Sequence, residues 1–321
     1  MPSAGPESPT AQRRSGWRIG VGFLCILVPV VCAVLARGSL LAGHPAYPLT
    51  LAAGVLVGLL LVVTGARRTP AGRPRRRGWT AVGRVAGALL TLVLLGSLVY
   101  LVPATASAAA LDAVPGDAAV RIEQSPTRIT LTPSGPPPTT GLIFQPGAKV
   151  DPRAYVPLLK QVAAAGYLVV VVKQPYSIGF FAIGQPAHVI AGHPTITRWA
   201  VGGHSLGGVA AGVYAAGADT GVHGLLFWAS YPLASLADRT DLVVASVSGT
   251  ADGLSTPADI EASRAKLPAD ATFTAVQGGI HAYFGDYGAQ AGDGTATVDR
   301  ATAQSQIVAA TTAFLGRAAT L

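Results

Sequence analysis

The chain has 321 residues, half of them hydrophobic and only 12% charged, more apolar than an ordinary soluble protein. Its net charge of +8 is unevenly spread: residues 1–110 carry 11 arginines against one acid, +10, and residues 111–321 carry 12 Lys/Arg against 14 Asp/Glu, −2. The basic excess therefore belongs to the first part of the chain, and nothing in the second part suggests a nucleic-acid surface. Two cysteines, Cys25 and Cys32, are too few for a usual metal site or disulfide framework. Seven residues apart, they share one helix face and read as packing residues of a membrane helix.

Residues 1–16 are rich in Pro, Ser and Gly and end near Arg13-Arg14, the composition of a disordered, basic lead. Trp17–Ala36 is then almost wholly apolar, long enough at about 1.5 Å per residue to cross a hydrocarbon core. Pro29 within it is tolerable in a membrane helix. A cleaved signal peptide is the alternative reading, and two further apolar runs, about 47–64 and 79–102, argue against it. The expectation is a membrane domain over 17–102 with three transmembrane helices, at about 17–36, 47–64 and 79–102. Between the second and third, residues 67–77 hold six arginines and no acid, the mark of a cytoplasmic loop. Alternation then puts the loop 37–48, and everything after Val102, outside. The expected location is the cell membrane, multi-pass, with the lipid bilayer as partner and the C-terminal domain extracytoplasmic.

Residues 103–116, small and Ala/Pro-rich, read as a linker. Residues 117–317 are enough for one hydrophobic core. Ala119–Gln124 and Thr127–Thr132 alternate apolar and polar residues, as an antiparallel edge pair does. Continuous apolar runs follow at Gly141–Phe144, Tyr167–Val172, Trp199–Val201, Gly224–Trp228, Leu242–Ser248 and Thr272–Val276. Helical stretches lie between them at Pro152–Ala165, Val209–Ala216 and Pro257–Lys266. Buried strands alternating with helices imply an α/β fold with a doubly wound, mostly parallel sheet and an antiparallel edge pair.

Within that pattern Gly203-x-Ser205-x-Gly207 sits between a strand and a helix, the context of a nucleophile elbow. Its serine occupies a sharp turn, and the glycines on either side let strand and helix approach. A serine hydroxyl needs a base, and the base an orienting acid. After Ser205 the histidines are His223 and His281. His223 opens the next strand, at the end of the sheet away from the serine. His281 lies in the Gly-rich loop after the last strand, which makes it the candidate base. Asp252, in the turn after Leu242–Ser248, is the candidate acid, since sites in open α/β sheets lie beyond the carboxyl ends of the strands. Asp259, within the next helix, and Asp286, five residues past the histidine, are weaker candidates. An oxyanion hole needs two N–H donors, and those of Leu206 and Ala148 are the candidates. Lys149 either contacts an anionic substrate group or is simply solvated. Tyr176, Phe180 and Trp228 are candidate pocket residues, with the alternative that Phe180 and Phe181 pack a helix onto the sheet.

Together, Phe144-Gln145-Pro146-Gly147-Ala148-Lys149-Val150-Asp151, Gly202-Gly203-His204-Ser205-Leu206-Gly207-Gly208 and Gly278-Gly279-Ile280-His281-Ala282-Tyr283-Phe284-Gly285 resemble the α/β-hydrolase superfamily. More narrowly they resemble its compact, lid-less bacterial branch, often membrane-anchored. The resemblance covers about residues 115–317. It implies a Ser205–His281–Asp252 triad acting on a small-molecule ester or acyl substrate, with no metal and no organic cofactor. It does not reach the three apolar spans. The competing expectation is a catalytically silent hydrolase fold serving as a membrane scaffold. A transporter built from the spans is disfavoured by their lack of charge beyond Arg18 and Arg84 near the ends.

Overall fold

The computed structural model describes residues 12–67, 69–70 and 77–320. It divides into two compact units, Met1–Arg37 with Pro48–Val102, and Gly38–Tyr47 with Pro103–Leu321.

The first unit is built on helices α1 (Gly16–Leu35), α3 (Ala46–Ala66) and α4 (Arg77–Tyr100), the short α2 (Arg37–Ala42) lying between the first two. Among the described residues three stretches are long and apolar enough to cross a membrane: Gly16–Leu35, Ala46–Ala66 and Ala81–Tyr100. Small residues let α1 and α3 meet closely. A Cβ on Gly22 would stand 2.7 Å from the Gly58 carbonyl oxygen, and one on Gly58 would stand 2.6 Å from that of Gly22. Such contacts drive helix association where lipid removes the hydrophobic incentive. Cys25, Pro29 and Cys32 continue the buried stripe of α1. Leu56, Leu60, Val85 and Leu92 point outward, as on helices apolar all round. The expected lead falls largely outside the described residues, and so do Arg68, Arg73, Arg75 and Arg76 of the arginine loop. At their described ends, Gln12–Arg13 pairs antiparallel with Thr69–Pro70.

The second unit holds an eight-stranded sheet: β1 (Val120–Gln124), β2 (Arg128–Pro133), β3 (Thr140–Gln145), β4 (Leu168–Val172), β5 (Arg198–His204), β6 (Gly224–Trp228), β7 (Val243–Gly249) and β8 (Thr272–Val276). Their order is β8-β7-β6-β5-β3-β4-β2-β1. β2 runs antiparallel to both β1 and β4, and every other pairing is parallel. The strands read as unbroken apolar runs because helices cover both faces. Alternate residues serve opposite layers. Phe144, Leu226 and Trp228 pack with α6 (Val156–Ala164) and α10 (Arg300–Ala318). Ile143, Val201 and Phe227 pack on the other side with α7 (Gln185–Ala191) and α8 (Leu206–Ala215).

Three features depart from expectation. β5 runs three residues past Val201, because Gly202 and Gly203 keep their pairing with β3 and β6. α7 and α10 are additional helices. Residues 103–116, expected as a linker, are built into the domain: Ala104 bridges to Val150, and Ser107 caps α5 (Ala108–Ala113) and donates its backbone N–H to the Asp286 carbonyl at 2.7 Å. At the carboxyl ends of the strands, β3, β5, β7 and β8 deliver the loops that bear Ala148, Ser205, Asp252 and His281.

Candidate active site

Ser205 sits at the junction of β5 and α8 with φ 52° and ψ −126°, a conformation that costs a non-glycine residue about 1–3 kcal/mol. Packing and hydrogen bonds hold it there. The Ser205 N–H donates to the Trp228 carbonyl at 2.9 Å, and its own carbonyl accepts from Ser230 Oγ at 2.7 Å. The motif glycines are sterically required: a Cβ on Gly203 would collide with the Gln145 carbonyl oxygen, and one on Gly207 with those of Gln145 and Pro146. The loop after β3 therefore lies directly against the turn that carries the serine.

That loop is tied to the turn by a buried relay. Tyr155 accepts a hydrogen bond from the Gly147 N–H at 2.9 Å and lies 2.9 Å from His204 Nδ1. The phenol, already accepting from Gly147, donates to Nδ1, which leaves the proton of a neutral His204 on Nε2. Burial first, and the neighbouring His281 second, push the His204 pKa well below the usual 6.5. The ring stays neutral, so no unpaired charge is buried beside His281. Gly147 has no substitute here, since a Cβ would stand 2.8 Å from His204 Nδ1. Among the described residues neither the Ala148 N–H nor the Leu206 N–H makes a hydrogen bond within the fold.

Asp252 and His281 are brought together. His281 Nδ1 lies 2.9 Å from Asp252 Oδ2, with the two residues 1% and 3% exposed. Asp252 Oδ1 accepts the N–H groups of Leu254 and Ser255, each at 2.8 Å. An ionised carboxylate only accepts, so His281 carries its proton on Nδ1 and turns a basic Nε2 the other way. Nε2 is buried and unpartnered among the described residues, as is Nε2 of the neighbouring His204. The two loops are zipped together: the Ala251 N–H donates to the Gly279 carbonyl at 3.0 Å, and the Gly278 N–H to Thr250 Oγ1 at 2.8 Å. Ser205 Oγ makes no hydrogen bond to Nε2 in this structure. The link between the two sides is His204, adjacent to the serine, whose ring centroid is 4.5 Å from that of His281.

The other candidates sort by position. His223 lies at the opening end of β6, its N–H donating to the Trp199 carbonyl. Asp259 forms a capping box with Thr256 at the start of α9 (Pro257–Ser263). Asp286 accepts from Gln304 Nε2 at 3.0 Å and pairs with Arg300 at 3.5 Å. Trp228 is fully buried, its ring 4.7 Å from that of Phe144 and its Nε1 donating to Thr311 Oγ1 at 2.9 Å. This corrects its expected place on a pocket wall: the pleat sends it to the α10 layer of the core. Phe180 and Phe181 are 40% and 64% exposed. Lys149 and Tyr176 both have positive φ, 56° and 54°, on neighbouring loops joined by the hydrogen bond from the Lys149 N–H to the Ser177 carbonyl at 2.8 Å.

Asp293 was not anticipated at all. Its carboxylate accepts the N–H of His281 at 3.0 Å, of Ala282 at 2.8 Å and of Gly294 at 2.8 Å. It thereby fixes the backbone that carries the histidine. A lone aspartate in a Gly-rich loop offers no sequence signal for that role. A sequence model described as the alpha/beta hydrolase family matches residues 141–305, a span that includes Ser205, Asp252, His281 and Asp293. Among curated proteins none matches the chain significantly.

Proposed function

The chain belongs to the α/β-hydrolase family, and we propose that it works as a membrane-anchored serine hydrolase cleaving a small ester or related acyl compound. The observation that carries this reading is the buried Asp252–His281 pair with its unspent Nε2, at the same carboxyl end of the sheet as the strained Ser205 turn.

In the mechanism that fits this geometry, the Ser205 hydroxyl approaches the substrate carbonyl as His281 Nε2 takes its proton. Asp252 holds the imidazole tautomer and stabilises the imidazolium. The Ala148 and Leu206 N–H groups receive the developing oxyanion, where fixed donors in a water-poor site act most strongly. The tetrahedral intermediate expels the alcohol, protonated by His281, and leaves Ser205 acylated. A water molecule, deprotonated by the same nitrogen, then releases the acid and restores the hydroxyl. The exposed rings of Phe180 and Phe181, with Tyr176, offer apolar surface beside this end of the sheet, and Lys149 adds a cation on the oxyanion loop.

Anchoring rests on the three long apolar helices. The packing of Gly38–Tyr47 into the catalytic unit supports a shared side for the first interhelical loop and the C-terminal domain, as alternation requires. With the arginine loop cytoplasmic, that side is extracytoplasmic. The test is hydrolysis of p-nitrophenyl esters by the full chain in detergent. Ser205→Ala is expected to lower kcat by about 10⁴-fold or more, and undiminished turnover in that variant overturns the reading.

A further inference from the structure

The loop after β3 is gripped from outside the hydrolase core. Ala104 takes both sides of it: its N–H donates to the Lys149 carbonyl at 2.6 Å, and its carbonyl accepts from the Asp151 N–H at 2.9 Å. Arg153, paired to Asp151 at 2.6 Å, reaches with the same Nη2 to the Gly38 carbonyl at 2.9 Å. On the remaining flank the Lys149 N–H donates to the Ser177 carbonyl. The Ser177 turn in turn rests on Gly38–Tyr47, the segment between α1 and the body of α3.

That turn is strained. Tyr176 (φ 54°, ψ 20°) and Ser177 (φ 54°) are successive non-glycine residues in the left-handed region. Such a conformation persists only where its surroundings over-determine it. The Tyr176 ring is clasped between Tyr47, with centroids 6.1 Å apart at 62°, and Phe181, at 6.0 Å and 74°. Of these two partners Tyr47 is the fixed one: it is 3% exposed, whereas Phe181 is 64% exposed. Ser39 and Leu40, at 1% and 4%, seat the rest of the segment. The gap between segment and turn, bounded by Leu40, Tyr47, Pro103, Gln174 and Tyr176, is ≈ 10 Å³, about the least that holds one water. The two surfaces are packed, not merely adjacent.

We propose that Gly38–Tyr47 is part of the catalytic apparatus, with Tyr47 as a positioning residue. Its ring holds the Tyr176–Ser177 turn left-handed, the turn fixes Lys149, and Lys149 aims the Ala148 N–H at the oxyanion. This rests on the serine-hydrolase reading above and extends it: a segment running from α2 into the first turn of α3 completes a site whose reacting groups all lie beyond residue 140. Tyr47 touches no reacting atom. Its loss acts on a transition-state contact and not on ground-state binding, so kcat falls and KM does not.

The experiment uses the full chain in detergent with p-nitrophenyl acetate and compares Tyr47→Ala, Tyr47→Ala/Ser177→Gly and Ser205→Ala. Tyr47→Ala is expected to lower kcat by about 10²-fold, the cost of a misplaced catalytic group, with KM within about twofold. Glycine enters the left-handed region without penalty, so the double variant is expected to regain about tenfold of the lost kcat, which a merely structural role for Tyr47 does not predict. Where Tyr47→Ala lacks a cooperative melt, Tyr47→Leu, which keeps a bulky apolar side chain and removes the aromatic edge, replaces it with the same expectation. Parental kcat in the single variant, or a double variant no better than the single, overturns the proposal. Full activity in Ser205→Ala instead overturns the underlying hydrolase reading.

Discussion

The two halves of the candidate site are held by different physics. On the acid–base side nearly every polar atom is bonded: Asp252 accepts two N–H groups and His281 Nδ1, and Asp293 secures the backbone of His281 and Ala282. Hydrogen bonds there orient the His281 ring and, among the described residues, leave its Nε2 unused. On the nucleophile side Ser205 is hydrogen-bonded through its backbone to Trp228 and Ser230 and set by steric fit, in a strained turn packed against the Gln145 and Pro146 carbonyls through glycines. Among the described residues its hydroxyl and the Ala148 and Leu206 N–H groups make no hydrogen bond within the fold. In the proposed mechanism one half moves a proton, and the other receives a reacting carbonyl. On that proposal strain is stored where bonds are made, and satisfied hydrogen bonding where only orientation is needed.

This contrast can be broken from either side. The largest effect is expected from Asp252→Asn, which keeps the shape but favours the wrong imidazole tautomer. A fall in kcat of about 10⁴-fold is expected, measured on an activated ester, and a loss under tenfold removes Asp252 from the mechanism. Gly207→Ala attacks the steric half, because its methyl group meets two carbonyl oxygens. Forcing the turn from the oxyanion loop is expected to cost about 10²-fold in kcat and about 1–3 kcal/mol of stability, read from kinetics and chemical denaturation together. Asp293→Ala loosens the histidine loop without touching its ring. A loss of about tenfold in kcat is expected, and kinetics equal to the parent chain's make Asp293 a purely structural acid.

The smallest expected effect concerns His204, the link between the halves. Its pKa in the fold lies well below 6.5, so between 6.5 and that lower value the unfolded chain binds a proton that the folded chain does not. The stabilisation is complete above 6.5 and is lost as pH falls through this window, by up to about 1.4 kcal/mol per pH unit. His204→Gln is expected to flatten that one-proton slope in denaturant melts taken from pH 7 to pH 5. An unchanged slope removes His204 as its source.

What could be read from residues alone follows the same division. The strands were legible because parallel strands covered on both faces become unbroken apolar runs, such as Leu168–Val172. Ser205, Asp252 and His281 were legible as candidates because each follows such a run, and the fold brings two of them to 2.9 Å. The supporting contacts were not. Tyr155 and His204 lie 49 residues apart, and Arg153 and Gly38 115, with no local pattern to connect them. Trp228 depends on the parity of the pleat, which moves an end-of-strand side chain from one layer to the other. α10 was hidden because Ala303, Thr311 and Ala318 among its buried positions dilute the period that Ile307, Phe314 and Leu315 carry. Residues 103–116 looked like a linker because their small side chains say nothing of the backbone bridge from Ala104 to the loop after β3.

The central claim is that Ser205 is an activated nucleophile, and covalent labelling of the intact chain by a fluorophosphonate probe tests it most directly. The account predicts one adduct per chain, mapped by mass spectrometry to Ser205, absent in Ser205→Ala and slowed in Asp252→Asn. A folded chain that takes up no probe, or one labelled equally in Ser205→Ala, would contradict it.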